Sequence, residues 1–462
     1  MKLTVREICM IVGGILLCGD AETVIRHVSF DSRSMQGDDL FVPTIGARVD
    51  GHDYIDSAFE NGAAATLTSR RGKVTGTRPY IFVQDTQQAL ETLGKHYRRL
   101  FRGRVVGITG SVGKTTTREL TKAALSAGGS VTGSMKNMNS QIGLPVVLCH
   151  MDHDADFAVM EMGISDPGEM RLLVDIVQPH TVIVTNIGVA HMEHLGSREG
   201  ICREKMHIAD DLGPEDTAVL NGEEPLLIPY QKSLPCRVLT FGLHPDMDVY
   251  AEDIRDGEYV CFTACFKVPA GGRRTVPVRL SIPGIHNVMN ALAALAAAWA
   301  EGISPNKAAA ALSQYGGFSR RLERVQIGSL KLIDDSYNAA PPSMKAALAV
   351  REKAKGGKRI ALLADMLELG PEEAAMHREV GEYAAALPGI DLFITMGTLI
   401  RNLERPLIEA RRPVFHCDTT EEAVERLTRL AAPGDVVLLK GSNGMRLDLV
   451  REALKKEEKF TN

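Results

Sequence analysis

Four features that would each have fixed a class are missing from this sequence. It has no apolar run long enough for a membrane span, no C-x-x-C pair, no surplus of positive charge and no G-x-G-x-x-G turn. A spanning helix needs about 20 apolar residues. The nearest approach, in MKLTVREICMIVGGILL, carries Arg6 and Glu7 and is broken by Gly13 and Gly14. With an acidic residue and no small-residue cleavage site, this stretch is expected to form a short helix packed on the first domain and not a signal peptide. The eight cysteines are scattered, which fits buried free thiols of a cytosolic protein. Cys261 and Cys265 fall on one face of a strand-like run. Lys and Arg number 53 against 58 Asp and Glu, a net charge of -5 with no basic run. That balance argues against a nucleic-acid surface, and the missing dinucleotide fingerprint argues against NAD.

What is present is a globular composition, 44% hydrophobic and 24% charged, over 462 residues. At roughly 150 residues per domain this predicts about three domains. Residues 1–102 alternate short strand-like segments with turns and end in a basic helix, LETLGKHYRRLFRG; within them DYIDSAFENG is a helix closed by glycine. RVVGIT (104–109) is a buried strand leading into a glycine loop and the helix TTTRELTKAALSAGG. Apolar strands follow at FAVMEM (157–162) and TVIVTNIG (181–188). Strand, loop, helix and strand in alternation predict a parallel doubly wound sheet. Between 245 and 283 the pattern turns to alternating strands with Gly and Pro turns, an antiparallel insertion, and an Ala-rich helix, HNVMNALAALAAAWAEG, comes next. A second α/β pattern starts near 319, with strands KLIDDSY, RIALLAD, DLFITMG and DVVLLKG. The expected architecture is three α/β domains, 1–102, 103–318 and 319–462, with neither internal repeats nor low-complexity tracts.

The sharpest local signal is GITGSVGKTTT, 107–117. The common phosphate loop is G-x-x-x-x-G-K-[ST], but the slot for its first glycine holds Ile108. Gly107, Gly110 and Gly113 still let backbone N–H groups approach phosphate oxygens, and the following helix adds partial positive charge at its N-terminus. Lys114 suits the β and γ phosphates and the Thr115 hydroxyl suits Mg²⁺. A purely structural turn has no need of Lys114 followed by Thr115, Thr116 and Thr117.

Glu161 ends the apolar strand FAVMEM, where the carboxyl edge of a parallel sheet would aim it at the same crevice. Magnesium takes a few carboxylates together with phosphate and water, so Glu161 is the expected ligand, weighed against an ordinary solvated strand end. In TNIGVAHMEHLGS, His191 and His194 lack the cysteine or carboxylate pair that would complete a zinc site. His191 is the candidate to supplement a carboxylate-held magnesium, and His194 is a loop or supporting residue. Lys205, on the helix SREGICREKMHIADDL, is by itself unremarkable.

Taken together, GITGSVGKTTT, VMEMG, TNIGVAHMEHLGS, the Lys205 helix, GIHNVMNALAA, SRRLERV, DDSYNAAPPSM, ADMLELG and LLKGS occur in the order typical of Mur ligases, and the chain resembles that family over essentially its whole length. The family's shortened G-x-x-G-K-[ST] loop is similar to Gly110, Gly113, Lys114 and Thr115. The resemblance implies a central P-loop-type parallel-sheet ATPase domain, flanked by a small N-terminal α/β UDP-binding domain and a C-terminal Rossmann-like α/β domain. It implies an ATP- and Mg²⁺-dependent amide ligase acting through an acyl phosphate. ADMLELG followed by HREVGE resembles the branch that joins D-alanyl-D-alanine to UDP-N-acetylmuramoyl-tripeptide in peptidoglycan synthesis. A cytoplasmic monomer, with neither nucleic acid nor membrane insertion, is expected.

By the same resemblance, ATP is held by Gly110, Ser111, Gly113, Lys114, Thr115, Thr116, Asn287, Asn290, Arg321 and Asp335, with Asp335 at the ribose. Lys114, Arg321, His191 and Lys205 serve catalysis, and Thr115, Glu161, His191 and a carbamylated Lys205 hold metal. Ser32, Arg33, Asn139 and Ser140 meet the UDP-substrate. The chain departs from the family pattern at Ser140, Ala340 and Asn443. The competing readings are a sister ligase adding the third amino acid, which the missing D-N-P-R motif argues against, a catalytically silent nucleotide-binding paralogue, and an ordinary P-loop phosphotransferase.

Overall fold

The computed structural model describes residues 1–461 apart from 47–48, 73, 75, 136, 190–191, 258, 269–270, 318–319 and 354–356. His191 and the joint at 318–319 therefore lie outside the described residues. The N-terminal stretch forms the helix Val5–Val12, started by a capping box between Thr4 and Glu7 and ended by Gly13 at φ 64°. Its buried Val5 and Ile8 pack into the first domain.

Among the described residues the strands build three main sheets. The first runs Ile15–Cys18, Tyr80–Phe82, Ala63–Thr68, Asp39–Phe41, His27–Ser29, antiparallel only at its first pair. The helix Thr86–Leu100, capped by Asp85, then leaves this unit and packs on the helix Gly143–His150 of the next. Gly94 makes that approach possible, because a Cβ there would lie 2.7 Å from the Cα of Pro145. Buried Arg98 donates to the carbonyls of Val177 and Gln178 at 2.6 and 2.7 Å, binding the end of a central helix.

The central sheet is ordered Gly272–Leu280, Val260–Val268, Val249–Asp256, Arg237–Gly242, Thr217–Asn221, Thr181–Val184, Arg104–Thr109, Phe157–Glu161, Val131–Gly133. The segment read as an antiparallel insertion does pair antiparallel, but it extends the same sheet. Its first strand meets Arg237–Gly242 in parallel at two positions only, which leaves an edge for the two hairpin strands to continue. The Ala-rich stretch forms the helix Ile285–Ala300. Its fully buried Ala291, Ala294 and Ala298 belong to the core it shares with the loop helix Lys114–Leu125.

The third sheet runs Glu323–Ile327, Leu330–Asp335, Val436–Lys440, Arg359–Ala364, Leu392–Met396, Val414–Cys417, parallel after its first pair. The four strands expected from sequence are its apolar interior. The two outer strands escaped notice because half-exposed edges such as VFHC carry no apolar run.

His150 links the first two units by accepting a hydrogen bond from Val28 N–H at 3.0 Å through Nε2. Burial, aided by the Met1 amino group and His27, pushes its pKa down to about 4, against about 6.5 for a free imidazole. The neutral ring's contribution is therefore full above pH 6.5 and is lost as pH falls toward 4. The urea midpoint is expected to drop between pH 7 and pH 5, and His150→Gln to flatten that drop. An identical slope in the variant would remove His150 as its source.

Candidate functional site

The glycine loop sits at the carboxyl end of the middle strand of the central sheet, between Thr181–Val184 and Phe157–Glu161. Gly110 has φ 145°, and a Cβ there would fall 1.9 Å from Thr185 Oγ1. Gly113, at φ 86°, caps the helix Lys114–Leu125 and leaves 2.7 Å between a Cβ and Asn290 Oδ1. The loop is braced from the neighbouring strand end. Ser111 N–H donates to Asn186 O at 3.0 Å and Val112 N–H to Asn186 Oδ1 at 2.9 Å. Thr185 Oγ1 and Asn186 Nδ2 both donate to Val112 O, at 2.7 and 2.9 Å. The Ser111 hydroxyl accepts from Gly188 N–H at 2.8 Å.

These contacts divide the loop. The backbone amides of Ser111 and Val112 are spent inside the protein. The first helical bond runs from Thr117 N–H to Gly113 O, so the N–H groups of Lys114, Thr115 and Thr116 have no helical partner and suit an anion. Lys114 Nζ folds back to Gly110 O at 2.8 Å. Burial lowers its pKa, opposed by Glu161 and aided by Arg321.

Glu161 is 3% exposed. Its Oε2 accepts from Thr115 Oγ1 at 2.9 Å and Arg118 Nη1 at 3.0 Å, and its Oε1 from Asn139 Nδ2 at 3.0 Å. Arg321 reaches in from the C-terminal unit, donating through Nη2 to Thr115 Oγ1 at 2.9 Å with its Cζ 4.2 Å above the Tyr337 ring. It is presented by a turn whose flanking Arg320 and Leu322 hold φ of 62° and 51°, a conformation unfavourable for side chains larger than glycine. Leu322 N–H is fixed by Asp335 Oδ1 at 3.1 Å and Arg320 N–H by Glu323 Oε2 at 2.9 Å.

Lys205 is 1% exposed on the helix Arg198–Met206. Burial, followed by the nearby Lys114 charge, lowers its pKa well below the ordinary lysine value. Among the described residues its ammonium has no hydrogen-bond partner. Asp335 pairs with Lys440 at 2.8 Å. His286 stands close enough to both to feel their charges, and burial depresses its pKa. Asn290 and Asn287 are buried and bonded to each other at 3.0 Å, and Asn290 also accepts from Thr117 Oγ1 at 3.2 Å.

The structure thus gathers Thr115, Glu161, Asn139 and Arg321 into one contact network, with Lys114 close enough to feel the charges of Glu161 and Arg321 and Lys205 close enough to feel that of Lys114. Thr116 is half-buried on the loop helix, and Ser140 accepts from Gly143 N–H at 3.3 Å at the start of the next helix. The hydrogen bonds of Ser32 and Arg33 stay in the first unit: Ser32 O accepts from Asn61 at 3.0 Å, and exposed Arg33 pairs with Asp31 at 2.8 Å. His194 is exposed and lies not in a loop but in the short helix Met192–Leu195, and its pKa is raised by Asp166, 2.5 Å away. Arg118, Thr185, Asn186 and Lys440 were missed. Arg118 lies three residues from Thr115 on one helix face, a spacing that could have exposed it.

A hydroxyl and a carboxylate 2.9 Å apart, both oxygen donors, fit a hard cation such as Mg²⁺ that keeps waters and phosphate oxygens as its other ligands. Among the described residues no three His, Cys, Asp or Glu side chains cluster as a metal site, which suits a metal held by few protein groups.

A nucleotide loop on the middle of three α/β domains, reached by an arginine from the third, defines a nucleotide-dependent phosphoryl-transfer enzyme. Three family models match successive segments: "Mur ligase family, catalytic domain" over 24–98, "Mur ligase middle domain" over 108–298 and "Mur ligase, glutamate ligase domain" over 320–443. The chain belongs to the Mur ligase family. It is 38% identical to the UDP-N-acetylmuramoyl-tripeptide--D-alanyl-D-alanine ligase of Bacillus subtilis (strain 168), covering 97% of both chains. It is 33% identical to the Escherichia coli (strain K12) protein of that name, covering 94% of both. Among solved structures it is similar to MurF from Acinetobacter baumannii, with TM-score 0.88, 29% identity and 99% of both chains covered. It is also similar to MurF ligase from Thermotoga maritima in complex with ADP, with TM-score 0.77, 28% identity and 94% and 97% of the two chains covered.

Because a Cβ on Gly110 would collide with Thr185 inside a left-handed turn, Gly110→Ala is expected to abolish nucleotide binding while the fold persists. Calorimetric titration with ADP, beside a far-ultraviolet spectrum, checks this; unchanged affinity would refute the steric account.

Proposed function

We propose that this chain is the ATP-dependent ligase that joins D-alanyl-D-alanine to UDP-N-acetylmuramoyl-tripeptide, a cytoplasmic step of peptidoglycan precursor synthesis. The observation that carries the reading is whole-length similarity to relatives bearing that name, in a chain whose loop lysine, Glu161 and Arg321 meet at one crevice. The domains are assigned to 1–102, 103–318 and 319–462. The sheets support these joints, since their strands stop at Phe82, restart at Arg104, stop at Leu280 and restart at Glu323.

The chemical task is to join two anions. A carboxylate oxygen of the tripeptide bonds to the terminal phosphorus of ATP as the bridging P–O bond to ADP breaks. The dipeptide amine then attacks the acyl carbon, phosphate leaves with the C–O bond electrons, and the amine loses a proton. Lys114 and Arg321 neutralise the charge on the transferring phosphoryl group, where fixed cations count most. The free amides at Lys114, Thr115 and Thr116 cradle the phosphates. Magnesium, when bound, adds its charge to this neutralisation, and Thr115 and Glu161 hold it. Asp335, Asn287 and Asn290 face the nucleoside, and Ser32, Arg33, Asn139 and Ser140 the UDP-substrate; the Asn139 bond to Glu161 would tie substrate seating to the metal carboxylate.

Lys205 and His191 keep the roles that the resemblance gives them. Burial shifts Lys205 toward its neutral amine, the form that attacks CO₂ with formation of an N–C bond and release of a proton. The resulting carbamate supplies an anion for metal beside Lys114. Lys205→Arg keeps the charge but cannot form the carbamate. It is expected to lower kcat by about a hundredfold or more with ADP affinity retained; wild-type turnover in the variant would remove Lys205 from the chemistry.

The reading itself is tested by phosphate release from ATP and Mg²⁺ with UDP-N-acetylmuramoyl-tripeptide, with and without D-alanyl-D-alanine. Release is expected only with both, with a product heavier by the dipeptide. Release instead with UDP-N-acetylmuramoyl-dipeptide and a free diamino acid would identify the sister ligase. No turnover with either pair, in protein that binds ATP, would identify the silent paralogue.

A further inference from the structure

Arg118 has no part in the readings above. It lies on the loop helix, is 1% exposed, and donates to Glu161 Oε2 at 3.0 Å and to Glu119 Oε1 at 2.7 Å. Glu119 faces Lys122 at 3.5 Å. Lys122 Nζ donates to Ser134 O at 2.7 Å, and Ser134 Oγ accepts Glu161 N–H at 3.0 Å. Glu161 is therefore braced from its side chain and from its backbone, and Arg118 is one of the braces.

The charges in this set do not balance. Lys114, Arg118, Lys122 and Arg321 surround Glu161 and Glu119, with Asp335 near Arg321, so the named cations outnumber the named carboxylates before any ligand arrives. Oε2 of Glu161 is doubly occupied by the Thr115 hydroxyl and the Arg118 guanidinium. A bare divalent cation entering here meets a carboxylate already neutralised, in a partly dry site where charges act strongly. A triphosphate brings enough negative charge to reverse the sign and draws Lys114 and Arg321 onto itself.

We propose that Arg118 gates metal entry: it holds Glu161 neutralised in the nucleotide-free enzyme, so that a divalent cation is admitted only together with the triphosphate. Arg118 is thus a positioning residue, and its effect is to make nucleotide and metal arrive as one. The inference rests on the assignment of Thr115 and Glu161 to metal. An enzyme that bound free Mg²⁺ first would fill the site with a hydrated ion and oblige each incoming nucleotide to shed its own metal.

The test is titration of the nucleotide-free protein with Mn²⁺, followed by electron paramagnetic resonance. Wild type is expected to bind free Mn²⁺ only at millimolar concentration. Arg118→Met is expected to tighten binding by about tenfold or more, and the added Glu161→Gln substitution to cancel the gain. Micromolar Mn²⁺ binding by free wild-type enzyme that Glu161→Gln removes would overturn the gate while leaving the metal assignment intact, and it needs no Arg118 variant. No gain in Arg118→Met that still binds ADP and melts cooperatively would overturn it too. If Glu161→Gln leaves Mn²⁺ affinity unchanged in the presence of a non-hydrolysable ATP analogue, the metal assignment fails and the gate falls with it. A merely structural arginine would lower the melting temperature and leave the isotherms alone.

Discussion

Glu161 is a carboxylate sealed at the end of a parallel strand, and an unpartnered charge in that position would cost several kcal/mol. The chain meets this demand with donors from two places, Thr115 and Arg118 on the loop helix and Asn139 on the loop before Gly143, while Ser134 Oγ accepts the Glu161 backbone N–H. Each donor fixes an element. The loop helix cannot rotate without stranding Arg118, and the 134–143 loop cannot lift without exposing Asn139. The phosphate loop owes its position as much to this carboxylate as to its own glycines.

The second organiser is the end of the neighbouring strand. Thr185 and Asn186 consume the polar groups of Ser111 and Val112 and press on Gly110. The first half of the loop becomes rigid scaffold, and the amides that remain available are those at the helix start. Arg321 completes the crevice from the other side. Its two left-handed neighbours are an unfavourable arrangement, held by Asp335, Glu323 and the stacked Tyr337. Asp335 therefore holds the backbone of the turn with one oxygen and pairs with Lys440 through the other.

The apolar strands, the loop and its helix were legible because they depend on short-range pattern: apolar runs, glycines and a lysine next to threonine. Glu161 was legible as facing the loop because it ends a buried strand at the carboxyl edge of a parallel sheet, although a solvated strand end was the ordinary alternative. Arg118, Thr185, Asn186 and Lys440 were not, since each matters through a partner tens to hundreds of residues away; the Lys440 contacts to Asp335 and Asn338 cross more than a hundred residues. Lys205 was a different case. Nothing in its local sequence separates it from an exposed helical lysine, and its meaning came from family resemblance alone until the fold buried it beside Lys114. The antiparallel strands were read with the right pairing and in the right domain, but that they extend the central sheet was not legible, because sequence shows that a strand has an open edge but not which sheet offers it.

The tight seat of Gly94 on Pro145 bears on how such a chain can be inherited. One hydrophobic core runs from Val5 through Phe101 and Val105 to Leu227, whereas the cores of the third unit contain only residues from Leu322 onward. Two of the three domains therefore travel as one module. A crossover between relatives just after Tyr315 would preserve every buried core, while one near residue 102 would have to match both faces of the Thr86–Leu100 helix at once. Where natural recombination has shuffled such ligases, its joints belong ahead of the third unit.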